Sequence, residues 1–252
     1  MSRINFMPAF KYCFRSMITG VSVFLLIMLV VTAAVAVTAN ISIRINGDIT
    51  LMFNAFETAA AIAAFVIGIV SIREDMRLLN QYGIGRRTAF LSEISVAIVI
   101  MMIMSVAGIL IASLGSSMAV DNKNVMINTL YSFFYPQRVE SLPPAIVFLE
   151  TLTWNFMIYL SAFFTGLFIS LMFYRLSKIW KVVAAIGLPV LFLVILPTVL
   201  VKSLPGLVIY IFSIDSFSDP WTGIMIGLGN SIVFGLGSWL LIRRAPIKSA
   251  LK

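Results

Sequence analysis

Some carboxylates lie inside hydrophobic stretches that are long enough to cross a membrane, and those of Glu57 and Glu150 lie at similar depth. Glu57 and Glu150 each fall six or seven residues from one end of such a stretch, which places them roughly 10 Å below the surface. An ionised carboxylate facing lipid there costs several kcal/mol, so each should face protein or water. Asn54 and Asn155 lie within about a turn of them. These four side chains predict a polar patch on a translocation path inside the bundle.

A structural role for the two acids is the alternative, with Arg44, Lys202 or backbone groups as partners. Other chemistries lack their usual residues. The chain contains no histidine and a single cysteine, Cys13, so it lacks the usual ligands for zinc, copper or haem and the usual general base. We therefore expect no catalytic residue, no metal site and no cofactor on this chain, and an intramembrane enzyme is disfavoured.

The composition is that of an integral membrane protein. Of 252 residues, 61% are hydrophobic and 11% are charged, against about 25% charged residues in soluble domains. The mean hydropathy is +1.06. So few charges cannot cover a surface that faces water. We predict an all-α integral membrane protein in which residues 1–252 form a single transmembrane domain.

Six stretches have the roughly 20 apolar residues that a membrane-spanning helix needs. They cover approximately residues 18–40, 50–71, 88–114, 144–172, 180–201 and 221–242. Fourteen of the 18 lysines and arginines fall on one side of these spans, and only Arg44, Lys123, Arg138 and Lys202 fall on the other. The positive-inside rule then predicts that both termini are cytoplasmic. Because topology explains the net charge of +8, no nucleic-acid partner is expected.

Three segments between the spans have patterns of their own. Residues 1–17 include Phe6, Phe10 and Phe14 at helical spacing, which predicts an amphipathic connecting helix lying against membrane lipid. The long connection 115–143 is rich in aromatic residues and should pack back onto the membrane surface. Residues 203–220 contain an apolar run too short to span, so they predict an outer re-entrant hairpin between the fifth and sixth spans, with a loop on the membrane surface as the alternative.

The segment 71–87 interrupts the hydrophobic pattern with charge. Ser71 and Glu74 form an S-x-x-E capping box, which predicts the start of a separate short helix, and Gly83 predicts its end. An apolar stripe and a cationic end indicate a cytoplasmic surface that docks a partner. The residues assigned to this docking surface are Ile72, Glu74, Asp75, Met76, Leu79, Tyr82, Arg86 and Arg87. We expect Leu79→Glu or Tyr82→Ala to uncouple the partner without unfolding the spans.

The phrase "LLNQYGIGRRTAFLSEI" resembles the segment between the second and third membrane helices of ABC-2-type transporter permeases. The arrangement of connecting helix, six spans and outer hairpin is similar as well. The resemblance implies that residues 72–82 are a coupling helix bound by a separate ATP-binding subunit, which carries ATP and Mg. It also implies a second permease copy or a sister permease in the same membrane. This chain has no G-x-x-x-x-G-K-[ST] phosphate loop, as expected if the ATPase is another polypeptide.

The resemblance implies an exporter subunit in the plasma membrane of a prokaryote. Its substrate would be amphipathic or hydrophobic: a peptide, a drug or a lipid. The 14 methionines and 20 phenylalanines suit adaptable apolar contacts, although such side chains also face lipid or fill cores. The alternative is a self-sufficient secondary transporter that uses Glu57 and Glu150. Against it, the six spans show no obvious internal repeat of the kind such carriers have.

Overall fold

The computed structural model describes residues 6–46, 51–53, 55–118, 125–127, 129–176 and 219–243. This part of the chain is almost entirely helical. The long helices are α1 (Phe6–Asn46), α2 (Ala55–Gln81), α3 (Arg86–Met118), α6 (Pro144–Arg175) and α7 (Pro220–Arg243). The short elements are β1 (Leu51–Phe53), β2 (Val125–Ile127), α4 (Leu130–Phe134) and α5 (Pro136–Ser141).

Four of these helices are long and apolar enough to cross a membrane: α1, α3, α6 and α7. They carry the first, third, fourth and sixth predicted spans. The second predicted span lies on α2, whose described apolar part, Phe56–Ser71, is shorter. The fifth predicted span and residues 203–218 of the predicted hairpin lie outside the described residues. The structure thus confirms a multi-pass helical architecture in the part of the chain that it describes.

Helix α1 continues without a break from the predicted connecting helix into the first span. It contains 41 residues, about 60 Å at 1.5 Å per residue, which is about twice the apolar thickness of a bilayer. The separate amphipathic helix predicted over residues 1–17 is instead, from Phe6 onward, the first part of this single helix. One buried stripe, Ala9, Cys13, Met17 and Val21, runs through the predicted boundary and packs with α3. No proline interrupts the helix beyond its first turn, so its hydrogen-bond ladder is maintained.

Helix α2 also continues where the sequence predicts a new helix. Ser71 lies in the middle of α2 and is buried, and its Oγ has no hydrogen-bond partner among the described residues. The predicted helix start at Ser71 is therefore wrong. A capping box stabilises a helix start only where the preceding backbone is not already helical, and here α2 has already begun at Ala55.

The predicted end of α2 is confirmed. Gly83 has a positive φ of 73°, and the backbone N–H of Ile84 donates to the carbonyl oxygen of Leu79 at 3.0 Å. This pattern of a left-handed glycine followed by a backward hydrogen bond is a Schellman motif. Its two apolar residues, Leu79 and Ile84, both pack into the main core. The chain then reverses, and α3 begins at Arg86.

Helix α6 is at the centre of the bundle and packs most extensively against α2 and α7. A Cβ added to Gly68 of α2 would meet the carbonyl oxygen of Phe163, and one added to Gly166 of α6 would meet that of Phe65. These reciprocal contacts mean that the two backbones approach closely. Glu57 lies near Tyr159 and Ile69 contacts Ser170, so the two helices run in the same direction. The hydroxyl of Ser170 donates to the Ile69 carbonyl oxygen at 2.7 Å across the same interface.

The helix directions give the bundle two different ends. Strands β1 and β2 pair in parallel, so the ends of α1 and α3 that precede them lie together. The start of α3 meets the end of α7, where the rings of Phe90 and Trp239 lie 5.3 Å apart. We call this second end the basic end, because it carries most of the described cations. Those at helix termini are Arg86, Arg87, Arg175 and Arg243.

Candidate functional site

Glu150 is held by two side chains from the connection that precedes its helix. It lies in the second turn of α6 and is buried. Its Oε1 accepts a hydrogen bond from Nη2 of Arg138 at 3.0 Å, and the two form an ion pair. Its Oε2 accepts a hydrogen bond from the hydroxyl of Tyr131. The alternative of a structural role for Glu150 is thus supported, with a cation other than the two the sequence suggested.

Arg138 also reaches the start of the last helix. Its Nη1 lies 3.0 Å from Oδ1 of Asp219, the residue immediately before α7. The guanidinium thereby joins α5, α6 and α7 at the end of the bundle opposite the basic end. Asp219 is 65% exposed, whereas Glu150 is 7% exposed. The contact with Glu150 is therefore the one shielded from water, where an ion pair is stronger.

The short helices α4 and α5 place these groups. The Thr129 hydroxyl accepts a hydrogen bond from the Ser132 backbone N–H at 3.2 Å and so caps α4. Pro136 then begins α5, a position that suits proline because its missing N–H is not needed there. This turn brings Arg138 back toward α6. The described part of the long connection, residues 129–143, therefore packs onto the end of the bundle.

Tyr131 lies in an aromatic cluster at this end. Its ring lies 5.1 Å from that of Tyr135 and 6.1 Å from that of Trp154. Burial of the hydroxyl, followed by its hydrogen bond with Glu150, raises the pKa of Tyr131 well above its usual range. A phenol is protonated at neutral pH even at its usual pKa, so Tyr131 donates to the carboxylate there. We refer to Tyr131, Arg138, Glu150 and Asp219 as the end cluster.

Glu57 lies in a different environment, although it also is buried. It falls in the first turn of α2, where the helix dipole favours an acid. The backbone N–H of Leu130 faces its carboxyl group, and Tyr159 of α6 lies within electrostatic range. Its Oε1 has no hydrogen-bond partner among the residues that the structure describes.

Asn155 completes a second group of polar side chains. Neither of its side-chain polar atoms has a hydrogen-bond partner within the described part of the chain, and the same holds for the Tyr159 hydroxyl. The register at Gly68 and Gly166, continued along α2 and α6, puts Glu57 level with Asn155. We name Glu57, Asn155 and Tyr159 the buried polar cluster. Unsatisfied polar atoms inside a membrane bundle are costly, so these groups can bind water or the polar part of a ligand.

The two acids therefore differ in their depth within the bundle and in their partners. Glu150 lies about one and a half helical turns nearer the end of the bundle than Glu57, or about 7 Å. Glu150 has a cationic partner, and Glu57 has an oxygen without a partner among the described residues. Asn54, the fourth residue of the predicted patch, lies outside the described residues. In the described ranges, no group of three or more histidine, cysteine, aspartate or glutamate residues could hold a metal ion.

The predicted docking surface is only partly exposed. Leu79 is buried in the main core, so it does not face a partner. Tyr82, in contrast, is 79% exposed at the turn between α2 and α3. Arg87 is exposed and Arg86 is half-buried. The side chains of Ile72, Glu74, Asp75 and Met76 lie outside the described part.

The three phenylalanines of the predicted connecting helix lie along one side of α1. Their rings are 6.0 Å apart between Phe6 and Phe10 and 6.1 Å apart between Phe10 and Phe14. Phe10 and Phe14 pack against the main core. They therefore bind α1 to the bundle and do not all face lipid.

Sequence reasoning missed four residues of these clusters: Tyr131, Arg138, Tyr159 and Asp219. One signal was present, since Arg138 is one of few cations outside the basic segments and precedes Glu150 by twelve residues. No family model, no curated protein and no solved structure matches this chain. Function is therefore inferred from its sequence and its geometry.

Proposed function

We propose that this chain is the permease subunit of an ATP-driven exporter of the ABC-2 type. It crosses the plasma membrane of a prokaryote six times, with both termini in the cytoplasm. A separate ATP-binding subunit, carrying ATP and Mg, binds its basic end, and a second permease copy or a sister permease completes the transporter. Its substrate is an amphipathic or hydrophobic molecule such as a peptide, a drug or a lipid.

The observation that carries this proposal is the turn between α2 and α3. The Schellman motif at Gly83 fixes the turn, and Tyr82 projects from it with 79% of its surface exposed. Arg87 follows on the exposed side of α3. A large aromatic side chain beside an exposed arginine is typical of the residues that dominate protein–protein binding. The docking surface of the proposal therefore consists of Tyr82, Arg86 and Arg87, and Leu79 supports it from inside.

The buried polar cluster supports a translocation path through the bundle. Glu57, Asn155 and Tyr159 have polar atoms without partners among the described residues. Such groups suit the polar part of an amphipathic substrate, while the surrounding apolar helices suit its remainder. In this proposal the end cluster holds the outer end of α6 and α7 together, and Glu150 is one of its structural members.

Co-purification tests the docking surface. The tagged chain is purified from its native membranes in mild detergent, and the ATPase activity and the composition of the sample are measured. We expect an ATP-binding polypeptide to accompany the chain, and Tyr82→Ala to reduce its recovery at least tenfold, as for a central interface residue. Phe133→Ala is the matched control, because Phe133 is an exposed aromatic residue in α4 at the opposite end. Recovery unchanged by Tyr82→Ala would contradict the docking surface.

A self-sufficient carrier is the second candidate, and it is favoured by the Glu57 oxygen that has no hydrogen-bond partner among the described residues. A buried carboxyl group of this kind can take up and release a proton or a cation. Because Glu150 is paired with Arg138, Glu57 is the one of these two acids that suits such a role. The chain alone is reconstituted in vesicles under an imposed proton gradient. Proton-driven uptake that Glu57→Gln abolishes would support the carrier, whereas activity only with ATP and the partner would support the exporter.

A further inference from the structure

An apolar groove runs along the bundle between α3, α6 and α7. Its volume is about 620 Å³, within the range of about 300–1,000 Å³ typical of small-molecule sites. Side chains that form its walls include Phe90, Leu160, Phe164, Leu236 and Trp239.

The groove has a single cationic group, and that group lies at one end. The surface of the groove is almost entirely apolar, so Arg87 lines it with its carbon chain, and its guanidinium has no ion-pair partner among the described residues. The other polar lining residue, Ser231, already donates its hydroxyl to the carbonyl oxygen of Gly227 at 2.7 Å. A ligand would therefore meet an apolar channel, with the residue that carries the charge, Arg87, at its basic end. That arrangement is complementary to a long apolar chain with an anionic group at one end.

The length of the groove matches one leaflet of a membrane. Along α7 its lining extends from Leu228 to Trp239, which is about 16 Å at 1.5 Å per residue. This is close to half of the roughly 30 Å apolar thickness of a bilayer. Trp239 and Arg87 mark the end that would lie at the headgroup level, where tryptophan and arginine are favoured.

We propose that this groove binds one acyl chain of an anionic phospholipid from the leaflet at the basic end, with the lipid phosphate against Arg87. The site needs only a membrane and the described helices, although it shares Arg87 with the proposed docking surface. The lipid would fill the space between α6 and α7 and would also contact the start of α3. Arginine suits this role because its guanidinium makes paired hydrogen bonds with phosphate oxygens.

Native mass spectrometry of the whole, detergent-purified chain tests the site. The delipidated protein is titrated with phosphatidylglycerol and, separately, with phosphatidylcholine. We expect one tightly held phosphatidylglycerol per chain and weaker phosphatidylcholine binding. Arg87→Gln should weaken phosphatidylglycerol binding about fivefold, from the roughly 1 kcal/mol per cation near an anionic headgroup. Arg86→Gln is the matched control, since Arg86 does not line the groove.

A second pair of variants tests the apolar channel without removing a charge. Leu236→Trp fills the groove and should abolish tight binding of either lipid. Leu240→Trp makes the same change on an equally exposed residue of α7 that lies outside the lining, and it should leave binding intact. Thermal unfolding of each variant shows that it is folded.

Three results would overturn the proposal. Equal phosphatidylglycerol binding by the Arg87→Gln and Arg86→Gln variants would show that Arg87 does not contact the lipid phosphate. Loss of a dimer in the Leu236→Trp variant, with lipid binding unchanged, would show that a second copy of the chain occupies the groove. A loss of thermal stability in that variant, again with lipid binding unchanged, would assign it to residues 180–201 of the same chain.

Discussion

The guanidinium of Arg138 lies 3.0 Å from the carboxylate of Glu150, although the two residues belong to different helices separated by a turn. The pair is shielded from water on the Glu150 side, which is 7% exposed, and open on the Arg138 side, which is 31% exposed. An acid buried at the end of a membrane bundle is thereby neutralised by a residue of the connection that precedes its helix. The connection is thus an ordered part of the bundle, and it joins α6 to α7 through Asp219.

Removal of the charge of Arg138 should destabilise the bundle. Arg138→Gln leaves the buried Glu150 carboxylate without its cation, at a cost of about 2–3 kcal/mol in the free energy of unfolding. Thermal unfolding in detergent measures the loss as a lower midpoint. Glu140→Gln is the control, because Glu140 is an exposed residue of the same helix. Equal midpoints for the two variants would show that the ion pair does not hold the end cluster.

Two tyrosines of similar burial should respond differently to loss of their hydroxyls. Tyr131→Phe removes the hydrogen bond to Glu150 and should lower the unfolding free energy by about 1–2 kcal/mol. Tyr159→Phe removes a hydroxyl without a partner among the described residues, so stability should be unchanged or higher. The thermal midpoints of the two variants give the comparison, and the opposite order would contradict the assigned hydrogen bonding.

The burial of Leu79 revises what its substitution should do. Leu79 is 3% exposed, so Leu79→Ala should lower the unfolding free energy by about 2–5 kcal/mol. Leu79→Glu would unfold the end of α2 and would not simply uncouple a partner. Leu78 is the adjacent control with 37% of its surface exposed, and Leu78→Ala should cost below about 1 kcal/mol. Similar losses for the two variants, measured by denaturant unfolding, would refute the packing of α2.

The contact between α2 and α6 should not tolerate a methyl group. Gly68→Ala and Gly166→Ala each place a Cβ against a carbonyl oxygen of the other helix, and each should cost about 1–3 kcal/mol or more. Gly20→Ala and Gly229→Ala are matched controls, since a Cβ there meets nothing within 4 Å. Helix propensity then favours alanine by up to about 1 kcal/mol. Stabilisation by all four substitutions would mean that the helices are not in close contact.

The sequence predicted the long helices better than it predicted their interruptions. Helices α6 and α7 begin at Pro144 and Pro220, within one residue of the predicted spans, because proline and the change in hydropathy both mark the start. The capping box at Ser71 did not begin a helix, since a cap is a local preference and the packing of α2 on α6 outweighs it. Sequence periodicity likewise identified a stripe that includes Leu79, but the same spacing serves a docking surface or a core.

The partners within the site depended on tertiary structure. Hydropathy alone showed that Glu57 and Glu150 lie within spans, and the cost of a charge in lipid predicted that both are buried. It did not reveal that Arg138 neutralises Glu150, because that contact depends on the turn made by α4 and α5. The same limit applies to Tyr159. In the sequence it is one aromatic residue among many, and only the packing of α2 on α6 shows that it lies near Glu57.

Site-specific photo-crosslinking at Tyr82 tests the central claim most directly. A photoreactive phenylalanine analogue replaces Tyr82 in the full chain, and native membranes are illuminated with and without ATP. A matched chain carries the analogue at Phe133, at the opposite end. We predict that position 82 crosslinks to a polypeptide that binds and hydrolyses ATP, and that position 133 does not. Crosslinks to no ATP-binding polypeptide from position 82, or equal crosslinks from both positions, would contradict the assignment of the turn between α2 and α3 as the docking surface of an ABC exporter.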